Sequence, residues 1–124
     1  MNDIQTNQLH ELLEVISKAK VNVVSNYLVI GEALNTASDS KLWKFSGDHL
    51  KTFDDFLIEI RMGRSTAYNC MGIVKQFGEI IRQRKLGADY TRLVALLPIA
   101  TDETKEEWLL KANELPAEGF YDEI

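Results

Sequence analysis

Apolar residues recur every seven positions through the first third of the chain: Leu9, Ile16, Val23, Ile30 and Ala37, with Leu12, Leu13, Ala19, Tyr27 and Leu34 widening the same stripe. This spacing predicts a long amphipathic helix over residues 1–37, which Asn2 or Asp3 can cap. From Ile4 to Ala37 it would measure about 50 Å at 1.5 Å per residue, more than a compact domain of this length easily spans. The helix therefore bends or has a partner. Val21, Val23 and Val24 are better strand formers than helix formers, so a bend would fall near residues 20–22. Gly31 costs about 1 kcal/mol relative to alanine inside a helix and points to a close approach by another element.

The pattern then breaks into shorter pieces. Turn residues at 38–40 and 46–48 bracket Lys41-Leu42-Trp43-Lys44-Phe45, which reads as one helical turn; its bases alternate with aromatics as in single-strand binders, but Trp43 and Phe45 are rather expected to anchor it in the core. Thr52 followed by Asp54 and Asp55 is an N-cap with acids in the first turn, and Phe53, Phe56, Leu57 and Ile60 form one apolar face. Gly63 can close that helix in a left-handed conformation and Ser65 can cap the next. The second helix puts Ala67, Cys70, Met71, Val74 and Phe77 on its inner side, leaving Thr66, Tyr68, Asn69, Gly72, Ile73 and Gln76 outward or lateral. Two short helices joined by a glycine-containing turn, over residues 52–77, form a helix-turn-helix pattern.

Further helices are expected at 79–85, ended by Gly87; at 90–97, stopped by Pro98; and at 101–113, with Trp108, Leu109 and Ala112 inward. A final turn runs from Leu115-Pro116 to the end. No alternating strand pattern of useful length occurs. The chain reads as one all-α domain over residues 1–124: a long N-terminal helix, a helix-turn-helix, and a small C-terminal helical bundle over 79–124.

Composition narrows the function classes. A chain of 124 residues with 45% hydrophobic and 27% charged residues suits one compact domain and excludes wholesale disorder. The single cysteine rules out an internal disulfide and a cysteine-based zinc site. Cys70, among apolar neighbours, reads as a packing thiol. His10 and Glu14 share a helix face but read as solvated rather than metal-binding. No phosphate loop and no hydrolase or metalloprotease motif is present, so the chain is expected to be neither an enzyme nor a cofactor binder. No apolar run reaches the roughly 18 to 20 residues that span a bilayer, and the N-terminus lacks the marks of an export signal. A cytoplasmic protein without membrane contact is expected.

Charge changes the picture most. The net −5 divides into −3 over residues 1–40, +4 over 41–92 and −6 over 93–124, so an anionic partner would meet the middle. In a helix-turn-helix the start of the second helix enters the major groove. Thr66 and Asn69 are the candidates for base edges, since asparagine pairs with adenine and threonine offers a hydroxyl and a methyl. Arg61, Arg64 and Lys75 are placed for phosphates, and Gly72 would let a backbone or sugar come close. A second basic cluster of Arg82, Arg84, Lys85 and Arg92 would clamp the flanking backbone or simply solvate a turn.

The elements Ile30-Gly31-Glu32-Ala33-Leu34, Thr52-Phe53-Asp54-Asp55-Phe56-Leu57, Arg64-Ser65-Thr66-Ala67-Tyr68 and Tyr90-Thr91-Arg92-Leu93-Val94-Ala95-Leu96-Leu97-Pro98 resemble a family of small plasmid- and phage-borne helix-turn-helix proteins. That family is in turn similar to the DNA-binding part of ParB-type partition proteins. The resemblance implies a module acting on mobile-element DNA in replication, segregation or transcription control, with Ser65, Thr66, Tyr68 and Asn69 facing double-stranded DNA. The chain lacks the nucleotide-binding domain that precedes this part in partition proteins. The stripe between Leu9 and Leu34 predicts a homodimer. The rival reading is a protein-interaction adaptor or inhibitor whose acidic C-terminal part, from residue 101, docks a basic partner or imitates DNA while the hairpin is scaffold.

Overall fold

The computed structural model describes residues 3–86 and 88–124, so the cap residue Asn2 and the helix stop Gly87 lie outside it. Among the described residues the fold is all-α, without strands. Helix α1 covers Asp3–Asp39, a single 3-10 turn covers Leu42–Ser46, and α2 covers Phe53–Glu59. Then come α3 (Arg64–Arg84), α4 (Tyr90–Leu96), α5 (Lys105–Glu114) and α6 (Ala117–Glu123).

Helix α1 is unbroken through the valine-rich stretch at 21–24, so the β-branched residues do not interrupt it. Its C-terminal half packs on α3. Val24, Leu28 and Leu34 are buried there, and Gly31 comes so close to α3 that a Cβ would lie 2.3 Å from the Cys70 carbonyl oxygen. The stripe between Leu9 and Leu34 is therefore divided, because Leu34 belongs to the molecule's own core.

The second helix of the hairpin does not stop at Phe77. It continues as α3 to Arg84, through Phe77 and Gly78, which are both buried. Packing on α1 and on the C-terminal helices outweighs the local cost of Gly78. Sequence inspection found one inner stripe on this helix where there are two. Ile73, expected outward or lateral, is fully buried with Phe77 and Ile81.

The main core gathers these residues with Val24, Leu28, Leu93, Leu96, Leu109 and Phe120. A smaller cluster of Leu34, Leu57, Ala67 and Met71 ties α2 to the start of α3, with Phe53 and Met62 against it. The expected core pair in the 3-10 turn separates. Trp43 is buried, whereas Phe45 is 87% exposed, since one turn between two loops can bury only one of its sides.

Three helix boundaries differ from expectation. Helix α5 begins at Lys105, after a Thr101–Thr104 turn in which each backbone N–H is accepted by the other threonine's hydroxyl, at 2.9 and 3.2 Å. Residues 117–123 form α6 rather than a turn. The hairpin turn is closed by Arg61, at φ 60°, and not by Gly63, which is at φ −62°. The Met62 N–H reaches back to the Leu57 carbonyl at 2.9 Å, the bond that seals a helix end of this type.

Candidate nucleic-acid interface

The end of the molecule formed by α2, its closing turn and the first turns of α3 holds most of the predicted contact residues. Helix α2 is fixed at its start by a reciprocal cap: the Thr52 hydroxyl accepts from the Asp55 N–H at 3.1 Å, and the Asp55 carboxylate accepts from the Thr52 N–H at 3.2 Å. Helix α3 starts at Arg64 with Gly63 at the cap position, so Ser65 lies inside the helix and does not cap it. Arg61, Arg64, Ser65, Thr66 and Tyr68 are all exposed, while Ala67 and Cys70 between them are buried.

A carboxylate organises this surface. Asp54, in the first turn of α2, accepts from the Arg64 Nε at 3.0 Å and from the Tyr68 hydroxyl at 2.7 Å. The Arg64 guanidinium also lies 5.3 Å from the centre of the Tyr68 ring. The Tyr68 hydrogen bond, aided by the charge of Arg64, lowers the Asp54 pKa below the usual carboxylate value. The same hydrogen bond raises that of the Tyr68 phenol. Sequence reading saw in Asp54 only an acid suited to a helix N-terminus. No spacing rule would have paired it with residues 10 and 14 positions later.

Further along α3 the outward residues turn to the protein's own helices. Asn69 is half-buried and donates to the Tyr90 hydroxyl at 3.1 Å, and Tyr90 in turn stacks on Tyr27 with ring centres 4.8 Å apart. Gln76 donates to the carbonyls of Leu97 and Ala100, both at 3.3 Å. A Cβ at Gly72 would meet the Leu97 side chain at 3.5 Å. The side chain of Leu97, just past the end of α4, is thus the near neighbour of Gly72.

No family model, no curated protein and no solved structure matches the chain.

The second basic cluster does not join the first. Arg82 pairs with Glu32 at 2.5 Å and Arg84 with Glu106. Both sit near the far end of α3, about 24 and 27 Å from Thr66 at 1.5 Å per residue. Arg92 leaves the cluster altogether. Its guanidinium donates to the carbonyls of Ala112 and Leu115 at 2.8 and 2.5 Å and lies over the Phe120 ring, so it binds the end of α5. Lys75 and Lys85 are exposed, and neither forms an ion pair with the described residues.

Burial raises the pKa of the Cys70 thiol, which disfavours the thiolate a nucleophile needs. Among the described residues no group of three His, Cys, Asp or Glu side chains could hold a metal ion. No helix there is long and apolar enough to cross a membrane.

Proposed function

We propose that the protein binds double-stranded DNA of a plasmid or phage through α2 and the start of α3, used as a helix-turn-helix. The observation that carries the reading is the pairing of exposure with cost at the turn. Arg61 adopts a left-handed backbone, which is about 1–2 kcal/mol unfavourable for a residue with a Cβ. The arginine held there is exposed and presents its cation beside the start of α3. Arg64, Ser65 and Thr66 extend the same surface, Thr66 as a base-edge reader and Arg61 and Arg64 as phosphate ligands. Asn69, with one donor committed to Tyr90, positions the helix more than it reads bases, and Arg82, Arg84 and Lys85 lie too far along α3 to share the groove.

Duplex DNA selected from a random pool by the full-length protein tests the reading. Enrichment of a site, with retardation at 50 mM salt that weakens at 200 mM, is expected. Thr66→Ala should cost about 1–3 kcal/mol at one base position. Arg61→Gly should separate the two roles, weakening DNA binding and lowering the salt slope by about one while leaving the fold as stable or more so. Absence of any retardation at 50 mM salt overturns the proposal.

The adaptor reading keeps one specific support, the exposed acids of α5 and α6. One of them, Glu106, meets Arg84 at the end of α3 opposite its start. Capture of a basic protein that is lost when those acids are neutralised, without any DNA retardation, would favour it.

A further inference from the structure

Both carboxylate oxygens of Asp54 are taken up by the start of α3: Oδ2 accepts from the Arg64 Nε at 3.0 Å and Oδ1 from the Tyr68 hydroxyl at 2.7 Å. The start of α2 does not depend on Asp54, because Thr52 and Asp55 cap that helix between them. We propose that Asp54 is an intramolecular competitor of phosphate. It occupies Arg64 in the free protein and yields it to a fitted duplex, which keeps the surface from holding polyanions indiscriminately. The inference rests on the DNA-binding reading and adds a source of selectivity to it.

The charges of residues 53–68 single out this carboxylate. The acids Asp54, Asp55 and Glu59 stand against the bases Arg61 and Arg64, three against two, so the segment has a net charge of −1. Phosphate binding depends on lysine and arginine, and an acid among them lowers affinity for every sequence alike. Asp55 belongs to the cap, and Glu59 meets His49 at 2.6 Å. Asp54 instead sits on an arginine proposed to bind DNA.

The contact has the chemistry of an anion site already filled. A carboxylate and a phosphate offer arginine the same kind of charged acceptor oxygen. The contact is also open to exchange. The Arg64 side chain is 75% exposed and that of Asp54 43%, and an ion pair so exposed is worth a factor of at most about five in an equilibrium. A phosphate brought in by a duplex that fits Thr66 and Arg61 can therefore displace the carboxylate. A phosphate met at random gains little from Arg64, since it must first break that pair. Like charges set against the wrong partner are a common source of selectivity.

Gel retardation of a short duplex of random sequence by the full-length protein, with and without Asp54→Asn, tests the proposal. The substitution keeps an acceptor for Tyr68 and removes the charge that holds Arg64. Binding of the random duplex should tighten about two- to fivefold, and the fall of log K with log salt should steepen by up to about one. A purely structural role for Asp54 would steepen nothing, and thermal unfolding followed by tryptophan fluorescence reads that role separately. In an Arg64→Ala background Asp54→Asn should have little effect, because the cation it releases is gone. Arg64→Ala alone, which leaves Asp54 in place, should lower the salt slope by clearly less than the value of about one expected of an unpaired arginine. A variant that binds no better than the wild type overturns the proposal, as does an equal gain in the Arg64→Ala background, which would mark simple repulsion. With a wild type that binds, these outcomes remove this inference alone. Absence of retardation by wild type and variant at about 50 mM salt removes the DNA-binding reading and this inference with it.

Discussion

Lys41, Arg61 and Lys85 are the non-glycine residues with positive φ among those described, and each lies just past a helix end. A cation there faces the negative end of the helix dipole, which offsets part of the backbone cost. Sequence reading assigned the hairpin turn to Gly63 because glycine is the usual residue for that conformation, and the charged alternative leaves no such mark. Arg92 shows how far a charge can depart from a surface role. Its side chain is only 13% exposed and holds two carbonyls at the end of α5. Arg92→Met keeps the stem over Phe120 but strands both oxygens, and should lower stability by about 2–3 kcal/mol in urea unfolding. Asp54 and Tyr68 give a pH signature. With its pKa lowered by the Tyr68 hydrogen bond, Asp54 supports the fold above the ordinary carboxylate range, and that support is lost as the pH falls through its folded value. Tyr68, raised by the same bond, contributes below the ordinary phenol range and loses the contribution as the pH rises through its folded value. Ring-labelled NMR should find Tyr68 titrating above a free tyrosine, and Asp54→Asn should bring it down.

At the scale of elements, the contact between α1 and α3 decides the architecture. A Cβ on Gly31 would sit 2.3 Å from the Cys70 oxygen and 2.6 Å from the Val74 Cγ2. Backbone is among the atoms met, so the two helices must part to admit it. Gly31→Ala gains about 1 kcal/mol in helix propensity yet should still destabilise the protein by about 1–3 kcal/mol, measured by urea or thermal unfolding. The periodicity of α1, the Thr52 cap and the stops around residues 61–63 and at Pro98 were legible in the sequence, because each depends on neighbours within a turn or two. The length of α3 was not. Its continuation through Phe77 and Gly78 depends on helices 40 or more residues earlier and some 30 later in the chain, and a one-stripe reading of its face missed Ile73 and Ile81. The triad of Asp54, Arg64 and Tyr68 was hidden for the same reason: it exists only once α2 and α3 are folded together.

For the whole molecule, the division of charge along the chain does not become a polarity in space: Arg61 and Arg64 share the start of α3 with the acids of α2, and at its far end Arg84 meets Glu106 of α5. The tight seat of Gly31 on Cys70 has a mechanical consequence. It locks α1 against sliding or turning on α3, so the free half of α1 and the start of α3 move as one body. A change at residue 31 would therefore be felt at the hairpin, more than 20 residues away in sequence, as a change in how firmly the N-terminal helix is carried.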